Sequence, residues 1–347
     1  MKELRFAIVG TGFWSRYQLA AWRELPGAQC VAVCNRTRAK AEALAAEFGV
    51  PAVFDDADAM LRKVRPDFLD VITDVETHAH FVQLAAAHRV PVICQKPLAP
   101  NLTTARDMAA ACAQAGVPLF VHENWRWQRP LRELKRVLDS GAIGRVFRAR
   151  VDFANSFPVF DNQPFLRELE QFILTDIGTH ILDTARFLFG EATRLLCETT
   201  RVHADIRGED VATVMLEMQG ATVTCNLSYA SRVEHDRFPE TFVFIEGSRG
   251  SAELAPDHWL RVTTADGTTA RRVPPPHFAW ADPRYALVHS SIVACHADLL
   301  GALQTGGLPE THAADNLRTL ELVFAAYDSA REHRVVGLSN NQPNHIA

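Results

Sequence analysis

The sequence lacks any run of basic residues. Its 36 lysines and arginines are outnumbered by 41 acidic residues, which gives a net charge of −5 at neutral pH. The small cluster of Arg36, Arg38 and Lys40 has too little charge to neutralise a phosphate backbone or an anionic bilayer. The sequence therefore predicts neither a nucleic-acid partner nor a membrane partner.

Long apolar runs and clustered cysteines are also missing from the sequence pattern. No apolar run reaches the roughly 18–20 residues of a membrane span, and the first residues form a strand pattern without the charged-then-apolar leader of an exported protein. The seven cysteines are scattered, with no Cys-x-x-Cys pair and no zinc-ligand spacing. We therefore expect reduced, buried thiols, a cytoplasmic protein and no metal site.

Strand and helix patterns alternate over the first part of the chain. This alternation predicts a Rossmann-type α/β architecture, a doubly wound parallel sheet with helices on both faces. We assign residues 1–125 to a dinucleotide-binding domain. The predicted strands are 4–9, 29–34, 52–54, 67–72, 91–94 and 117–121, and the predicted helices are 15–25, 38–48, 58–64, 78–87 and 103–115.

After Pro130 the pattern becomes rich in strands. Turn signals such as Gln219-Gly220 and Asp266-Gly267 indicate antiparallel hairpins. We assign residues 126–338 to an α+β domain with a large, mostly antiparallel, open-faced sheet, and residues 339–347 to a polar tail. The predicted strands are 146–153, 193–202, 211–219, 222–229, 241–246, 251–254, 259–264 and 269–273, and the predicted helices are 131–139, 175–189, 291–303 and 313–332.

The segment 211–218 is apolar at successive positions, which predicts apolar side chains on both faces of its strand. An apolar outer face of a sheet favours contact with another subunit. We therefore expect this domain to serve both substrate binding and assembly, as a homodimer or homotetramer formed through the C-terminal sheet.

A glycine-rich turn follows the first predicted strand, in the order Gly10-Thr11-Gly12-Phe13-Trp14-Ser15. Gly10 permits the tight turn, and Gly12 lacks the Cβ that would block a pyrophosphate. The following helix presents unpaired N–H groups and its positive dipole end to the anion. The turn predicts a dinucleotide site that includes Phe13 and Trp14, and the alternative is a plain strand–helix turn.

A lysine ends the fifth predicted strand, within Cys94-Gln95-Lys96-Pro97. Ligands bind at this edge of an open parallel sheet, so a lysine there places an ammonium beside the expected nicotinamide. We predict that Lys96 is catalytic and contacts both cofactor and substrate, and that Gln95 contacts the cofactor. The alternative is a solvated loop lysine.

Asp176 and His180 are four residues apart in the predicted helix 175–189, so both side chains lie on one face. A carboxylate beside an imidazole is a common general-base arrangement, and histidine titrates where a hydroxyl proton must be taken up. We predict both as catalytic, substrate-binding residues. The alternative is that Asp176 only caps the helix and His180 only packs in the core.

Further polar candidates lie near the predicted strand ends and in the loop before the 175–189 helix. Asn35 stands where an acidic residue commonly binds the adenosine ribose. The remaining predicted cofactor contacts are Arg36, Arg38, Thr73, His78, Asn124 and Gln163, and the remaining predicted substrate contacts are Glu123, Asn124, Trp125, Gln163 and Arg167. The alternatives are an aromatic hinge over 122–127 and solvated polar loops.

The glycine turn, the lysine and the Asp-x-x-x-His pair together resemble the family of glucose–fructose oxidoreductase, inositol dehydrogenase and MocA (Gfo/Idh/MocA) over nearly the whole chain. The resemblance implies that His180 accepts a hydroxyl proton, that Lys96 and Asp176 orient it and the reacting oxygen, and that hydride passes to nicotinamide C4. The family motif Glu-Lys-Pro reads Gln95-Lys96-Pro97 here. Residues 122–128 and 162–166 are similar to the branch that oxidises aldoses to lactones.

The expected function is therefore an NAD(P)-dependent dehydrogenase for a small sugar or polyol. Arg36 and Arg38 could grip the 2′-phosphate of NADP, whereas Asn35 can bond a free ribose hydroxyl and Arg36 can stack on adenine. Because the aldose branch tends to use NAD, we expect NAD, with NADP as the alternative. The other functions left open are a redox-neutral glycosidase with bound NAD and a sensor of dinucleotide and sugar without turnover.

Overall fold

The computed structural model describes residues 3–233 and 238–338. Contacts divide this part of the chain into two compact units, each made of two stretches of sequence. The first unit contains the residues up to Trp127 and His277–Leu320, and the second contains Gln128–Pro276 and the residues from Glu321 onward. The predicted polar tail, 339–347, lies outside the described residues.

A parallel sheet, six-stranded over the described residues, forms the centre of the first unit. Its strands are β1 Leu4–Val9, β2 Ala28–Cys34, β3 Ala52–Phe54, β4 Phe68–Val71, β5 Val92–Gln95 and β6 Leu119–His122. They lie in the order β3-β2-β1-β4-β5-β6. This is the strand order of a doubly wound dinucleotide-binding fold, so the predicted Rossmann architecture is confirmed.

Helices connect these strands close to the predicted positions. They are α1 Phe13–Trp22, α2 Arg38–Phe48, α3 Ala57–Val64, α4 Val75–Ala87 and α5 Leu102–Ala115. The strands between them are almost continuously apolar because a parallel sheet is covered on both faces. All four residues of β4 are buried, as are five of the six in β1.

The second unit contains a mixed sheet, nine-stranded within its described residues. The strands are β7 Val146–Ala154, β8 Ala192–Thr200, β9 Val211–Met218, β10 Ala221–Ser228, β11 Phe242–Gly247, β12 Gly250–Ala255, β13 Trp259–Thr264, β14 Gly267–Arg272 and β15 Val336–Gly337. Their order is β14-β13-β12-β11-β7-β10-β9-β8-β15. The pairing of β7 with β10 is parallel and the other neighbours pair antiparallel. The predicted, mostly antiparallel sheet is confirmed.

The strand β9 does not have two apolar faces, so this prediction is wrong. Its side chains alternate in the pleat: one face buries Ala212, Val214, Leu216 and Met218, and the other exposes Thr213 and Met215. The open face of the sheet is a mixture of apolar and charged groups, because the register aligns Phe244, Arg150, Thr224, Met215 and Leu196 in one row across five strands.

The remaining helices are α6 Arg129–Asp139, α7 Val159–Asn162, α8 Ile173–Asp176, α9 Gly178–Phe189, α10 Ala286–Thr305 and α11 Ala313–Glu332. The single helix predicted over 175–189 is two helices, α8 and α9, separated at Ile177. The backbone of Ile177 stays right-handed (φ −88°, ψ −23°), so the chain keeps a helical course through the break.

Helix α10 packs in the first unit, which differs from the predicted continuous domains 1–125 and 126–338. Its residues Cys295, Leu299 and Leu300 belong to the same hydrophobic cluster as Phe6 and Trp22. The segment that contains α10 therefore returns to the nucleotide-binding unit after β14, and the chain then enters the second unit again from Glu321. All seven cysteines are thiols rather than disulfides, and all except the half-buried Cys30 are buried, as expected.

One segment, Pro283–Thr305, is long and apolar enough to cross a membrane by length and composition alone. Length and composition are weak evidence for a membrane span, because the buried core helix of a globular protein meets the same criteria. Of its most apolar 18-residue window, 61% is buried inside the described structure, and a buried apolar helix is also what the core of a globular unit requires.

A carboxyl group lies inside the apolar core of the first unit. Asp70 on β4 is 1% exposed, and Trp22 Nε1 donates a hydrogen bond to its Oδ2 at 2.8 Å. The Trp22 ring also stacks on His296 of α10, with ring centroids 3.8 Å apart. Burial raises the pKa of Asp70 to about 7, although the bond from Trp22 opposes this.

Asp70→Asn is expected to flatten the pH dependence of thermal stability. The folded chain holds the Asp70 proton up to about pH 7, whereas the unfolded chain releases it near pH 3.8. The free energy of unfolding therefore falls as pH rises through this window, and an amide, which does not titrate, removes that contribution. Melting temperatures across the window measure the effect, with Asp107→Asn at an exposed position of α5 as control. Parallel curves for Asp70→Asn and the wild type would contradict it.

Candidate active site

The glycine turn lies between β1 and α1, at the carboxyl edge of the parallel sheet. Gly10 has a φ of +98°, and a Cβ there would lie 2.2 Å from the carbonyl oxygen of Ile72, just after β4. Both observations require glycine at this position. Because the strand order reverses between β1 and β4, the turn lies at the point where doubly wound folds bind their ligand.

The turn fits a dinucleotide phosphate. Gly12 is the N-cap of α1, and no described atom lies within 4 Å of a Cβ added there. The first turn of this described helix has no acidic residue, so no carboxylate there would repel an anion bound at the positive end of the helix. The buried Thr11 hydroxyl has no hydrogen-bond partner among the described residues. Ser15 is fully buried and donates to the Gly12 carbonyl at 2.6 Å, which closes the turn.

Aromatic side chains border this turn. Phe13 is 54% exposed, and its ring meets that of Trp14 edge to face, with centroids 5.3 Å apart. Tyr17, one turn further along α1, stacks on His289 of α10 at 4.2 Å. The contacts of Phe13 and Trp14 with the cofactor remain a prediction.

The predicted adenosine-binding residues lie after β2. The half-buried Asn35 donates from Nδ2 to the Thr37 carbonyl at 3.1 Å, and Arg36 is exposed. Arg38 Nε lies 2.9 Å from Glu42 and its Nη1 lies 3.9 Å from Asp55. Both ion pairs are exposed to solvent and therefore weak, so they do not decide between NAD and NADP.

His78 joins two strand ends within the first unit. Its Nε2 lies 3.0 Å from the carbonyl oxygen of Thr73, and its Nδ1 lies 3.1 Å from those of Pro97 and Leu98. Both ring nitrogens thus face backbone carbonyl oxygens, to which the protonated nitrogen donates, and the ring is 1% exposed. The His78 ring thus links the loop after Lys96 to the end of β4. The predicted contact of His78 with the cofactor stays a prediction. Thr73 is half-buried at that end.

Lys96 is half-buried and follows the last residue of β5. Its backbone N–H donates to Oε1 of Gln95 at 2.9 Å, so the Gln95 side chain turns back onto the main chain. Glu123, one residue beyond β6, is fully buried, and its Oε1 accepts a bond from the Trp125 N–H at 3.0 Å. Lys96 and Glu123 therefore lie on the same sheet edge as the glycine turn.

The residues after Glu123 are directed into the first unit. Asn124 is 6% exposed, and its Nδ2 donates to Ser291 Oγ of α10 at 2.8 Å. Trp125 is buried in a 3-10 turn, Trp125–Trp127. Both side chains therefore pack within the first unit, and their predicted ligand contacts remain predictions.

In the second unit Asp176 is held by a tyrosine. The hydroxyl of Tyr229, just after β10, donates to Asp176 Oδ2 at 3.0 Å. Burial, with the nearby negative charge of Asp176, raises the pKa of Tyr229 well above its ordinary value, so the phenol stays a donor. His180 lies one turn later in α9 and is 5% exposed. The arrangement presents an oriented carboxylate and an imidazole on neighbouring turns.

A second carboxylate fixes the start of α8. Glu209 accepts bonds from the backbone N–H groups of Phe172 and Leu174, each at 3.2 Å from Oε1, and from the Tyr327 hydroxyl at 2.7 Å. It satisfies amides that a helix leaves unpaired at its N-terminus. Sequence reasoning missed Glu209 and Tyr229. Of the two, only Tyr229 is indicated by the sequence pattern, because it continues the inward-facing apolar row of β10 and carries a hydroxyl group.

The predicted loop residues Gln163 and Arg167 lie before α8. Gln163 is half-buried, and Arg167 forms an ion pair with Asp205 and lies 4.7 Å from the centroid of the Phe160 ring. These contacts occupy the guanidinium of Arg167. Its predicted contact with substrate is untested, as is that of Gln163.

Comparisons with known proteins agree with this arrangement. Residues 4–123 match the model of an oxidoreductase family with an NAD-binding Rossmann fold, and residues 131–253 match the GFO/IDH/MocA C-terminal domain. A D-apiose dehydrogenase of Paraburkholderia graminis is 44% identical over 341 residues, which cover 98% of this chain and 91% of the relative. The chain belongs to the Gfo/Idh/MocA family of oxidoreductases. The predicted family, enzyme class and NAD cofactor are thereby confirmed.

Two further proteins are similar to this family member over nearly their whole length. A D-apiose dehydrogenase of Rhizobium rhizogenes is 41% identical, with 97% of this chain and 98% of the relative covered. The crystal structure of an oxidoreductase from Agrobacterium radiobacter, in complex with NAD+, L-tartaric acid and magnesium, is 41% identical. It superposes with a TM-score of 0.95 over 97% of this chain and 98% of the other.

Two alanine substitutions in the glycine turn are expected to have different effects. Gly12→Ala leaves the fold intact, because the added Cβ meets no described atom, but it blocks the phosphate. Gly10→Ala instead destabilises the fold through the positive φ and the approach to Ile72. NAD titration and thermal melting separate the two outcomes. Normal NAD affinity in Gly12→Ala would contradict the assigned phosphate site.

Proposed function

We propose that this chain is an NAD-dependent dehydrogenase that oxidises D-apiose, or a closely related small aldose, to its lactone. The proposal rests on the sequence identity of this chain to two D-apiose dehydrogenases. The identities are 44% and 41%, and each alignment covers at least 97% of this chain. It agrees with the prediction, from residues 122–128 and 162–166, of the branch that oxidises aldoses and includes D-apiose dehydrogenase.

The proposed mechanism assigns one role to each predicted catalytic residue. His180 accepts the proton of the reacting hydroxyl, and Asp176, held by Tyr229, orients the imidazole. Lys96 orients the reacting oxygen through its ammonium. NAD, when bound, accepts the hydride from the adjacent carbon. Gly10 and Gly12 admit the phosphates, and Asn35 bonds the adenosine ribose.

The substrate proposal is tested by a screen of aldoses, polyols and inositols with NAD and with NADP. We expect NADH formation with D-apiose to exceed that with other sugars by about 10-fold or more in kcat/KM, a typical gap for one mismatched contact. Release of a sugar without net NADH would indicate a redox-neutral glycosidase instead. Binding of sugar and NAD without any turnover would indicate a sensor.

Lys96→Ala and His180→Ala are each expected to lower kcat at least ~100-fold, because each removes a group that acts on the reacting hydroxyl. NAD affinity, measured by titration, should stay near that of the wild type. Lys135→Ala on α6 and His80→Ala on α4 serve as matched controls at positions outside the proposed site. Normal turnover in both site variants on a confirmed substrate would refute the proposed roles.

We further propose that the open face of the nine-stranded sheet joins subunits into a homodimer or homotetramer. Met215 supports this proposal because it is 44% exposed in the middle of β9. Met215→Arg adds a second cation to the row that contains Arg150, so we expect it to shift the mass measured by light scattering toward the monomer. A monomeric wild type, or an unchanged mass in the variant, would count against this interface.

A further inference from the structure

The residue beside Lys96 on its own strand supplies no countercharge. Gln95 is an uncharged amide, and its Oε1 already accepts a hydrogen bond from the Lys96 N–H at 2.9 Å. The Lys96 side chain lies in a half-buried position. A charge removed from water is stable only beside an opposite charge or strong hydrogen-bond acceptors.

The strand next to β5 in the sheet, β6, is followed by a carboxylate that lies beside Lys96. The register of the parallel pair aligns Gln95 of β5 with His122 of β6. The next residues along the two strands are Lys96 and Glu123, which therefore lie side by side at the same sheet edge. Glu123 is 0% exposed, and the bond from the Trp125 N–H to its Oε1 fixes the orientation of its carboxylate.

The charges around Glu123 come from three other groups of the first unit. Burial raises its pKa to about 7, whereas the bond from Trp125 and the positive charges of Lys96 and Arg126 lower it. The negative charge of Asp315 raises the pKa of Glu123, as burial does. Arg126 is itself engaged by Asp315, with 3.1 Å between Nη2 and Oδ2, and lies 3.9 Å from Glu310. Its charge is thus shared with two further carboxylates.

We infer that Glu123 is a positioning residue for Lys96: its buried carboxylate is the countercharge that orients the lysine ammonium at the sheet edge. The inference deepens the proposed function, because it rests on Lys96 acting on the substrate. Glu123 thus supplies from β6 the negative charge that Gln95 does not supply from β5. The carboxylate acts through Lys96 rather than by contacting the substrate, which departs from its predicted role as a substrate contact.

A titration of Lys96 in the protein without substrate tests the inference directly. The chain has only five lysines, so NMR of the protein after reductive methylation with carbon-13 gives few signals, and Lys96→Arg identifies the one from Lys96. Loss of an adjacent opposite charge should move the titration midpoint of that signal down by about one pH unit in Glu123→Gln. The amide keeps the size of the side chain and the acceptor for Trp125.

Two further variants separate electrostatics from packing. Glu123→Asp keeps the charge, so its midpoint should stay closer to that of the wild type than the midpoint of Glu123→Gln. Glu310→Gln removes a carboxylate near Arg126 and should leave the Lys96 signal unchanged. An unchanged midpoint in Glu123→Gln, or equal shifts in Glu123→Gln and Glu123→Asp, would overturn the inference.

Kinetics then distinguish failure of this inference from failure of the proposed function. Glu123→Gln is expected to lower kcat roughly 10-fold with little change in NAD affinity, and to cause no further loss in a Lys96→Ala background, because the two residues act as one unit. Full activity of Lys96→Ala would refute the proposed catalytic role of Lys96 but not the charge pairing with Glu123, since the NMR titration does not depend on turnover. Additive losses from the two substitutions would refute the coupling.

Discussion

The parallel register of β1, β4, β5 and β6 is the constraint on which the candidate site of the first unit depends. Parallel neighbours end at the same edge of a sheet, so Gly10, Thr73, Lys96 and Glu123 come together although they are far apart in the sequence. The backbone hydrogen bonds that hold this register also set the distances among the side chains that follow each strand. The chemistry of the edge is thus a product of strand pairing rather than of any single motif.

Local patterns were sufficient to predict much of this unit. A continuous apolar segment predicts β1 at its observed bounds, and helical periodicity predicts α2 at its observed bounds. The glycine turn and the lysine after β5 were also recognisable, because backbone geometry restricts Gly10 and strand topology places Lys96 at a ligand-binding edge. These features are encoded within a few neighbouring residues. The family resemblance then suggested roles that the local pattern alone did not provide.

Features that depend on distant residues were not predictable in this way. The return of α10 to the first unit is set by packing of Cys295 and Leu299 against strands from the start of the chain. The separate start of α8 is capped by Glu209, whose carboxylate accepts bonds from the amides of Phe172 and Leu174. The alternation of β9 was obscured because Met215 is apolar yet exposed. The first two cases depend on contacts between residues that are distant in the sequence, which local preference does not reveal.

The discontinuous first unit has a consequence for the order in which the chain is made. Domains generally fold as they leave the ribosome, the N-terminal one first. Here the nascent Rossmann sheet lacks α10, so the surface that Leu299 and Leu300 later cover stays open to water while the β-rich segment is synthesised. That apolar surface is therefore exposed for longer than in a nucleotide-binding domain made of one continuous stretch, and transiently exposed apolar surface favours non-native contacts and aggregation.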